Sequence, residues 1–482
     1  MEKNDYVRIG FLMLVPILVF SPLFYTHYFY TDEVLQLWLY RKGSDFAMFV
    51  PQGRWLTDRL FRSLYSHIDT IGQLRLLRLF SLAGWLICLP VWYSVFKRVA
   101  REEGLPSQLP FFSVLFLICS LPFSISIQWA ACMELFIANT SGLLAGYFVY
   151  RYNRRGWLPA LLSGLISLFF YQNGFGCFLL PFFLAIVARQ KADRKMLAPL
   201  GVYFAIYLIY FLLFKGMLQL VLHAGASNRT TLLDNPVNKA VYLFVRVLPQ
   251  AFLFNGVVNE QSVAGLISFG LIGGVCLGLN FRSGTKQNFL TYCLLIVASF
   301  VLIYLPSLII RENYASNRTL LGLDMAVFFW VFITLMKEFG KTRLLPAFLT
   351  ISGCLLVLTS VYNFRAVFLR PAVEEYESIK TSLAQHYNPG ITSIDYIRTA
   401  EGQVREKYGV QSSWDEYGMS SSFFGWVPDV LARQLVFELT GNRSVAEKLT
   451  VRVWVNRSAF QASGSPGTEG SLVIDASAIL HK

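Results

Sequence analysis

Long uninterrupted apolar runs recur along this chain, separated by short polar connections that carry most of its charge. A hydrocarbon core about 30 Å thick takes roughly 20 apolar residues per helix. Such runs lie near Val7–Phe24, Leu79–Phe96, Leu109–Ile127, Leu135–Tyr150, Trp157–Tyr171, Phe175–Ala188, Met196–Phe214, Val263–Leu279, Phe289–Leu305, Leu320–Met336 and Leu344–Val361. The fourth, fifth and sixth are short, which leaves room for a re-entrant pair. The pattern predicts an all-α polytopic membrane domain of about eleven transmembrane helices over residues 1–370. After Pro371 the chain turns hydrophilic: Val373–Tyr387 has helical spacing, Thr450–Asn456 alternates as a strand does, and Ser463–Gly467 reads as a turn before Leu472–Ile474. A small soluble α+β domain is expected over residues 371–482.

Composition agrees with a membrane setting, because 55% of the 482 residues are hydrophobic and only 15% are charged, against about 25% in an ordinary soluble domain. A formal charge of +13 would suit nucleic acid if it were clustered on one surface. Instead the basic residues fall in alternate short connections: Lys97, Arg98 and Arg101; Arg151, Arg154 and Arg155; Arg189, Lys191, Arg194 and Lys195; Arg282 and Lys286; Lys337, Lys341 and Arg343. Lys and Arg favour short cytoplasmic loops, so the N-terminus is expected inside, and an odd span count puts the C-terminal domain outside, with no nucleic-acid partner. The first span has no small-residue cleavage site behind it and reads as a retained helix. The seven cysteines lie in spans or, for Cys132, at an outer edge, without metal-ligand spacing; free thiols rather than disulfides or a cysteine metal site are expected.

The outer connections should therefore hold the chemistry. The first, over residues 25–78, opens with Tyr28, Tyr30, Asp32 and Glu33, two carboxylates close to the end of the first span. It continues Gly53-Arg54-Trp55-Leu56-Thr57-Asp58-Arg59-Leu60-Phe61-Arg62. At about 100° per residue Leu56, Leu60, Phe61 and Leu64 share one arc opposite Arg54, Asp58, Arg59 and Arg62, as in a helix lying in the membrane interface. A later outer element, Arg311-Glu312-Asn313-Tyr314-Ala315-Ser316-Asn317-Arg318-Thr319, precedes a span carrying Asp324. A carboxylate at that depth faces protein or a water-filled cavity, and Arg318 or a neighbouring arginine is its simplest partner. Gln128, Trp129 and Glu134, then Gln172 and Asn173, sit in two shorter connections, where acceptor-cleft and helix-cap roles are both open. The connection around Asn228, Arg229, Asp234, Asn235 and Arg246 reads as a second surface helix or a lid. In the tail, Asp415, Glu416, Tyr417 and Gly418, followed by Ser420–Ser422 and Trp426, read as a turn or an acceptor contact.

The ordered segments Tyr-Thr-Asp-Glu-Val-Leu-Gln-Leu-Trp (30–38), Pro-Gln-Gly-Arg-Trp-Leu-Thr-Asp-Arg-Leu-Phe (51–61) and Arg-Glu-Asn-Tyr-Ala-Ser-Asn-Arg-Thr-Leu-Leu-Gly-Leu-Asp (311–324) resemble the serotype-converting O-antigen glucosyltransferases (the Gtr type II group) and, more broadly, the GT-C-fold membrane glycosyltransferases. The resemblance runs over about Val7–Arg370. It implies a GT-C-like membrane domain, in the bacterial inner membrane, that takes glucose or another hexose from a polyprenyl-phosphate carrier and places it on a cell-surface glycan or lipid-linked oligosaccharide at the periplasmic face. A flippase and a donor synthase are implied as partners. The family's first acidic site is a pair of aspartates; here Asp32 precedes Glu33, so either could carry the catalysis.

Residue chemistry fits that expectation. Transfer from a lipid phosphate needs a carboxylate to take the acceptor proton, which points to Asp32 or Glu33. The leaving phosphate needs cations with a planar donor fork, for which Arg54, Arg311 and Arg318 are the outer candidates, Arg311 foremost. Tyr30, Trp55, Tyr314, Asn317 and Glu134 are the candidate sugar contacts, with Asp324 in support. Inverting transfer is expected, no cofactor is called for, and a divalent metal is left open. A lipid-linked-sugar flippase or transporter would carry more ionisable groups near the midplane or paired broken helices, and an O-antigen polymerase or ligase would use a large central outer loop.

Overall fold

In the computed structural model residues 2–191, 197–222, 231–259, 262–283, 286–340, 342–463 and 470–479 are described; Arg194, Lys195, Asn228, Arg229, Lys341 and residues 464–467 of the expected turn lie outside them. Of the described residues 74% are helical. Among the described residues six helices are long and apolar enough to cross a membrane: Ile71–Glu102, Ala130–Phe170, Gln172–Arg189, Ala198–Leu220, Ala264–Arg282 and Leu345–His386. Helices also occupy Lys3–Val19, Lys286–Ile303 and Leu321–Phe339, where the hydropathy pattern places spans. The third apolar run is broken rather than straight: Leu109–Cys119 and Leu121–Gln128 meet at 47°. The break has a local cause, since Ser120 is extended (φ −71°, ψ 152°), Pro122 cannot donate to the preceding turn, and the Ser120 hydroxyl caps the new helix by accepting from the Phe123 amide.

Burial sorts these helices. Leu321–Phe339 is buried along nearly its whole length and packs against Leu109–Cys119, Leu180–Arg189 and Ala264–Ser283. At the other extreme, Leu208, Leu212, Leu271, Leu290 and Leu355 are more than half exposed on their helices. Apolar surface displayed in that continuous way is stable against lipid and costly against water. The helix Leu345–Tyr362 runs without interruption through Asn363–Leu369 into Arg370–His386, so residue 370 falls inside a continuous helix.

After this helix comes a three-stranded parallel sheet of β1 (Ser393–Ile397), β2 (Thr450–Trp454) and β3 (Ser471–Asp475), in the order β2-β1-β3. The register pairs Asp395 with Arg452 and Val473. Asp395, on the central strand, accepts from Arg452 Nη2 (2.8 Å), Trp454 Nε1 (2.9 Å) and Ser471 Oγ (2.7 Å), tying all three strands together. The crossover helix Val427–Thr440 packs on the Asp32–Leu39 helix. Glu438 Oε1 accepts from the Ile71 amide (2.7 Å), Gln434 Nε2 donates to the Asp69 carbonyl (2.8 Å), and the Arg443 guanidinium lies 3.9 Å from the Trp38 ring centre. The segment 25–78 and the segment after 371 therefore pack as one layer over one end of the helices.

The helix expected from the Gly-Arg-Trp entry forms at Trp55–Tyr65, but its packed side differs from the arc read off the sequence. Thr57, Asp58, Phe61 and Tyr65 are buried, and the Asp58 carboxylate accepts from Tyr40 Oη (2.7 Å). A hydrogen-bonded carboxylate on the inner face rotates the packed side away from the purely apolar arc.

Candidate active site

The acidic segment begins with a strained residue. Thr31 sits at φ 38°, ψ −113°, a region a β-branched side chain rarely adopts, and its amide donates to Ser421 Oγ (3.0 Å). The helix Asp32–Leu39 starts there, so the next two side chains leave the axis about 100° apart. Glu33 turns inward and is wholly buried against wholly buried Arg78, which donates to it through Nη2 and through Nε at 3.3 Å. Glu33 also accepts from the amides of Tyr30 (2.8 Å) and Ala130. Asp32 turns the other way, lines a cavity, and accepts on Oδ1 from Trp426 Nε1 at 2.9 Å. Trp426 packs on Phe424 with ring centres 5.0 Å apart, just after the loop at Ser420–Ser422, whose Ser420 hydroxyl and Ser421 and Ser422 amides all donate to the buried Glu375 carboxylate.

Arg54 reaches the same cavity from the Pro51–Phe61 segment. Gly53 before it has φ +78°, and a Cβ there would stand 2.3 Å from Tyr210 Oη; only glycine permits this approach. The Arg54 guanidinium then lies 4.2 Å from the Tyr171 ring centre, a cation over an aromatic face. Arg318 comes from the third segment. Its turn is fixed by Glu416, which accepts from the Asn317 amide (2.7 Å), Asn317 Nδ2 (2.9 Å) and the Arg318 amide (3.0 Å). The guanidinium lies 4.4 Å from the Trp129 ring centre and donates to Tyr314 Oη and to Asp415 Oδ2 at 3.3 Å. Burial pushes the Glu416 carboxyl above its ordinary range against the pull of Arg318, with Asp415 adding to the rise.

The cavity holds about 470 Å³, and its wall includes Asp32, Gln52, Arg54, Trp129, Glu134, Gln172, Asn173, Tyr314 and Arg318. It continues along Phe204, Tyr207, Leu208, Phe211 and Phe214, facing Leu305, Pro306 and Ile309. From Phe204 to Phe214 is about 15 Å of helix at 1.5 Å per residue. Phe204 is 48% exposed, Leu208 59% and Ile309 41%, so this stretch opens on the same apolar surface the outer helices present. One cavity thus joins a charged, aromatic pocket to a greasy side entrance.

Of the residues singled out by sequence, Asp32, Arg54, Glu134, Tyr314 and Arg318 are brought to this one wall. Glu33, Tyr30, Trp55, Asn317, Asp324 and Arg311 are not among the lining residues. Tyr30 is buried edge-on to Trp129, Trp55 is exposed beside Phe169, and Asn317 is buried on Glu416. Arg311, with its side chain 66% exposed, pairs with Asp234 at 3.1 Å. Asp324 is buried and makes no ion pair among the described residues; the expected partner Arg318 is taken by Asp415 and Glu416 instead. Arg78 and Glu375 are not singled out by the sequence, and Trp426 enters it only as part of a turn or acceptor contact. Arg78 has a signal, a charged side chain at the edge of an apolar run, while Glu375 and Trp426 reach the site only through contacts distant in sequence. Among the described residues no group of three or more His, Cys, Asp or Glu side chains is arranged to hold a metal ion. No protein-family model matches the chain, and no curated protein matches it.

Proposed function

We propose that this chain is an integral membrane glycosyltransferase that moves a single hexose from a polyprenyl-phosphate carrier to a cell-surface glycan or lipid-linked acceptor at the outer face of the bacterial inner membrane. In this reading eleven spans place the N-terminus inside and the segment after Pro371 outside. The observation that carries it is the shape and chemistry of this cavity: the carboxylates of Asp32, Glu134 and Glu312 and two arginines at a pocket that opens sideways through Phe204, Leu208 and Ile309 onto apolar surface. A water-soluble sugar nucleotide needs no such entrance, whereas a polyprenyl chain does.

The chemistry follows from the wall residues. Asp32 takes the proton of an acceptor hydroxyl as that oxygen attacks the anomeric carbon. The bond from the anomeric carbon to the phosphate oxygen breaks, and its electron pair leaves with the polyprenyl phosphate, whose charge Arg54 and Arg318 hold. Phosphate is a good leaving group, so a second, proton-donating carboxylate of the glycosidase kind is not required, and one displacement inverts the anomeric centre. Glu33, already saturated by Arg78 and two amides, is a framework group in this scheme. The test is the envelope glycan of a strain lacking the protein, complemented with wild type or Asp32→Asn. Loss of one sugar residue, restored only by wild type, is expected; an unchanged glycan, or loss of a whole polymer, would point to another class of function.

A further inference from the structure

Four polar groups on residues of the cavity wall are buried and have no hydrogen-bond partner among the described residues. Gln52 Oε1 and Glu134 Oε2 accept; Arg54 Nε and Trp129 Nε1 donate. Glu134 and Trp129 are each only 1% exposed. A buried polar atom without a partner is costly, more so when charged, and native proteins keep few of them. Four on residues of one wall are explained together if a ligand supplies what they lack.

Their signs say what that ligand is. Gln52 Oε1 and the ionised form of Glu134 can be satisfied only by donors, which a phosphate or carboxylate oxygen is not. Arg54 Nε and Trp129 Nε1 need acceptors. A sugar hydroxyl is both at once, and a ring bearing several hydroxyls matches a wall that alternates the two. Ionised Glu134 repels phosphate and the arginines draw it, so the sugar and the phosphate are sorted to different parts of the pocket. We infer that Glu134, with Gln52 and Trp129, forms a sugar-selecting subsite that takes an uncharged, hydroxyl-rich hexose and rejects a hexuronate. This rests on the lipid-linked hexose donor reading above and adds to it the residues that select the sugar and the exclusion of a charged one.

The test needs no acceptor. Full-length protein in nanodiscs is titrated with bare polyprenyl phosphate and with polyprenyl phosphates carrying glucose, galactose, mannose, glucuronic acid or a 4-amino-4-deoxy pentose. At least one neutral hexose is expected to bind ten-fold or more tighter than the bare carrier and than the glucuronate. Glu134→Ala should weaken that hexose by about ten- to a hundred-fold, the range for a hydrogen bond to a charged group. Isosteric Glu134→Gln keeps an acceptor oxygen and removes the charge, so it should narrow the gap between hexose and glucuronate even if Glu134→Ala fails to fold. Tightest binding of the glucuronate or the amino sugar by wild type, or an unchanged hexose-to-glucuronate ratio in Glu134→Gln, overturns the inference while leaving the donor reading standing. Failure of every polyprenyl phosphate, bare or loaded, to bind overturns both.

Discussion

In the proposed mechanism, replacing Asp32 by Asn removes the base while leaving its surroundings almost untouched. The amide keeps an oxygen at Oδ1, so the 2.9 Å hydrogen bond from Trp426 survives, and the side chain is not part of the buried core. Loss of a general base costs on the order of 10² to 10⁴ in turnover, equivalent to about 3–5 kcal/mol of barrier at 1.36 kcal/mol per decade. Donor affinity should hardly move, because the proposal gives the phosphate to Arg54 and Arg318. The neighbouring substitution gives the contrast. Glu33→Gln leaves Arg78, wholly buried, without its counter-charge, a loss of about 3–5 kcal/mol of stability for a broken buried pair. The assay is single-sugar transfer from radiolabelled polyprenyl-phosphate hexose, run beside donor affinity and thermal stability for both variants. Asp32→Asn should be folded, donor-competent and slow, and Glu33→Gln should be poorly folded. Near-normal turnover in Asp32→Asn with a stable, inactive Glu33→Gln would move the base by one residue and refute the geometry argued here.

Arg318→Ala should weaken donor binding by at least ten-fold, and Arg318→Lys should not restore it, since a point charge cannot reproduce the fork that meets Tyr314, Asp415 and a phosphate; Arg311→Ala, breaking an exposed pair worth about 0–1 kcal/mol, should change donor affinity by no more than a few-fold, and the opposite ranking would place the phosphate at Arg311. In the sheet, burial alone would raise the Asp395 carboxyl, but hydrogen bonds from Ser471, Trp454 and Arg452, with the charge of Arg452, hold it below the usual carboxylate range. Its stabilising contribution is therefore present above the unfolded value near 3.9 and is lost as pH falls through the lower folded value; thermal unfolding monitored from pH 6 to 2 should lose stability at the acid end, and Asp395→Asn should flatten that part of the curve. For topology, cysteines placed at Ser107 and Ser458 should react from opposite sides of sealed vesicles, and labelling from one side would break the proposed arrangement.

Helices were legible because their signal is local. Apolar runs near 20 residues need only composition, and the strands at Thr450–Trp454 and Ser471–Asp475 showed in short alternating or apolar runs. The break at Ser120–Pro122 also has a local signature, a capping serine followed by proline, hidden inside a run that hydropathy reads as continuous. Which residue types meet at the cavity was legible, and their direction less so. Asp32 and Glu33 are adjacent and chemically alike, and only the 100° between them, fixed by where the helix starts, sends one to the cavity and the other to Arg78. Arg311 and Arg318 looked equivalent as outer arginines; the difference lies in Asp415 and Glu416, which reach Arg318 from about a hundred residues away and hold it over Trp129. Such partners leave no trace in the local sequence, and neither does the strain at Thr31, which depends on Ser421.

The most direct measurement is photocrosslinking of a diazirine-bearing polyprenyl-phosphate hexose to the protein in membranes, with the labelled peptides mapped by mass spectrometry. Label is expected in Phe204–Phe214 and Leu305–Ile310, reduced by unlabelled polyprenyl-phosphate hexose and only weakly by a polyprenyl-diphosphate oligosaccharide. Label confined to other helices, or undiminished by the monophosphate competitor, would contradict the assignment of this cavity as the donor site.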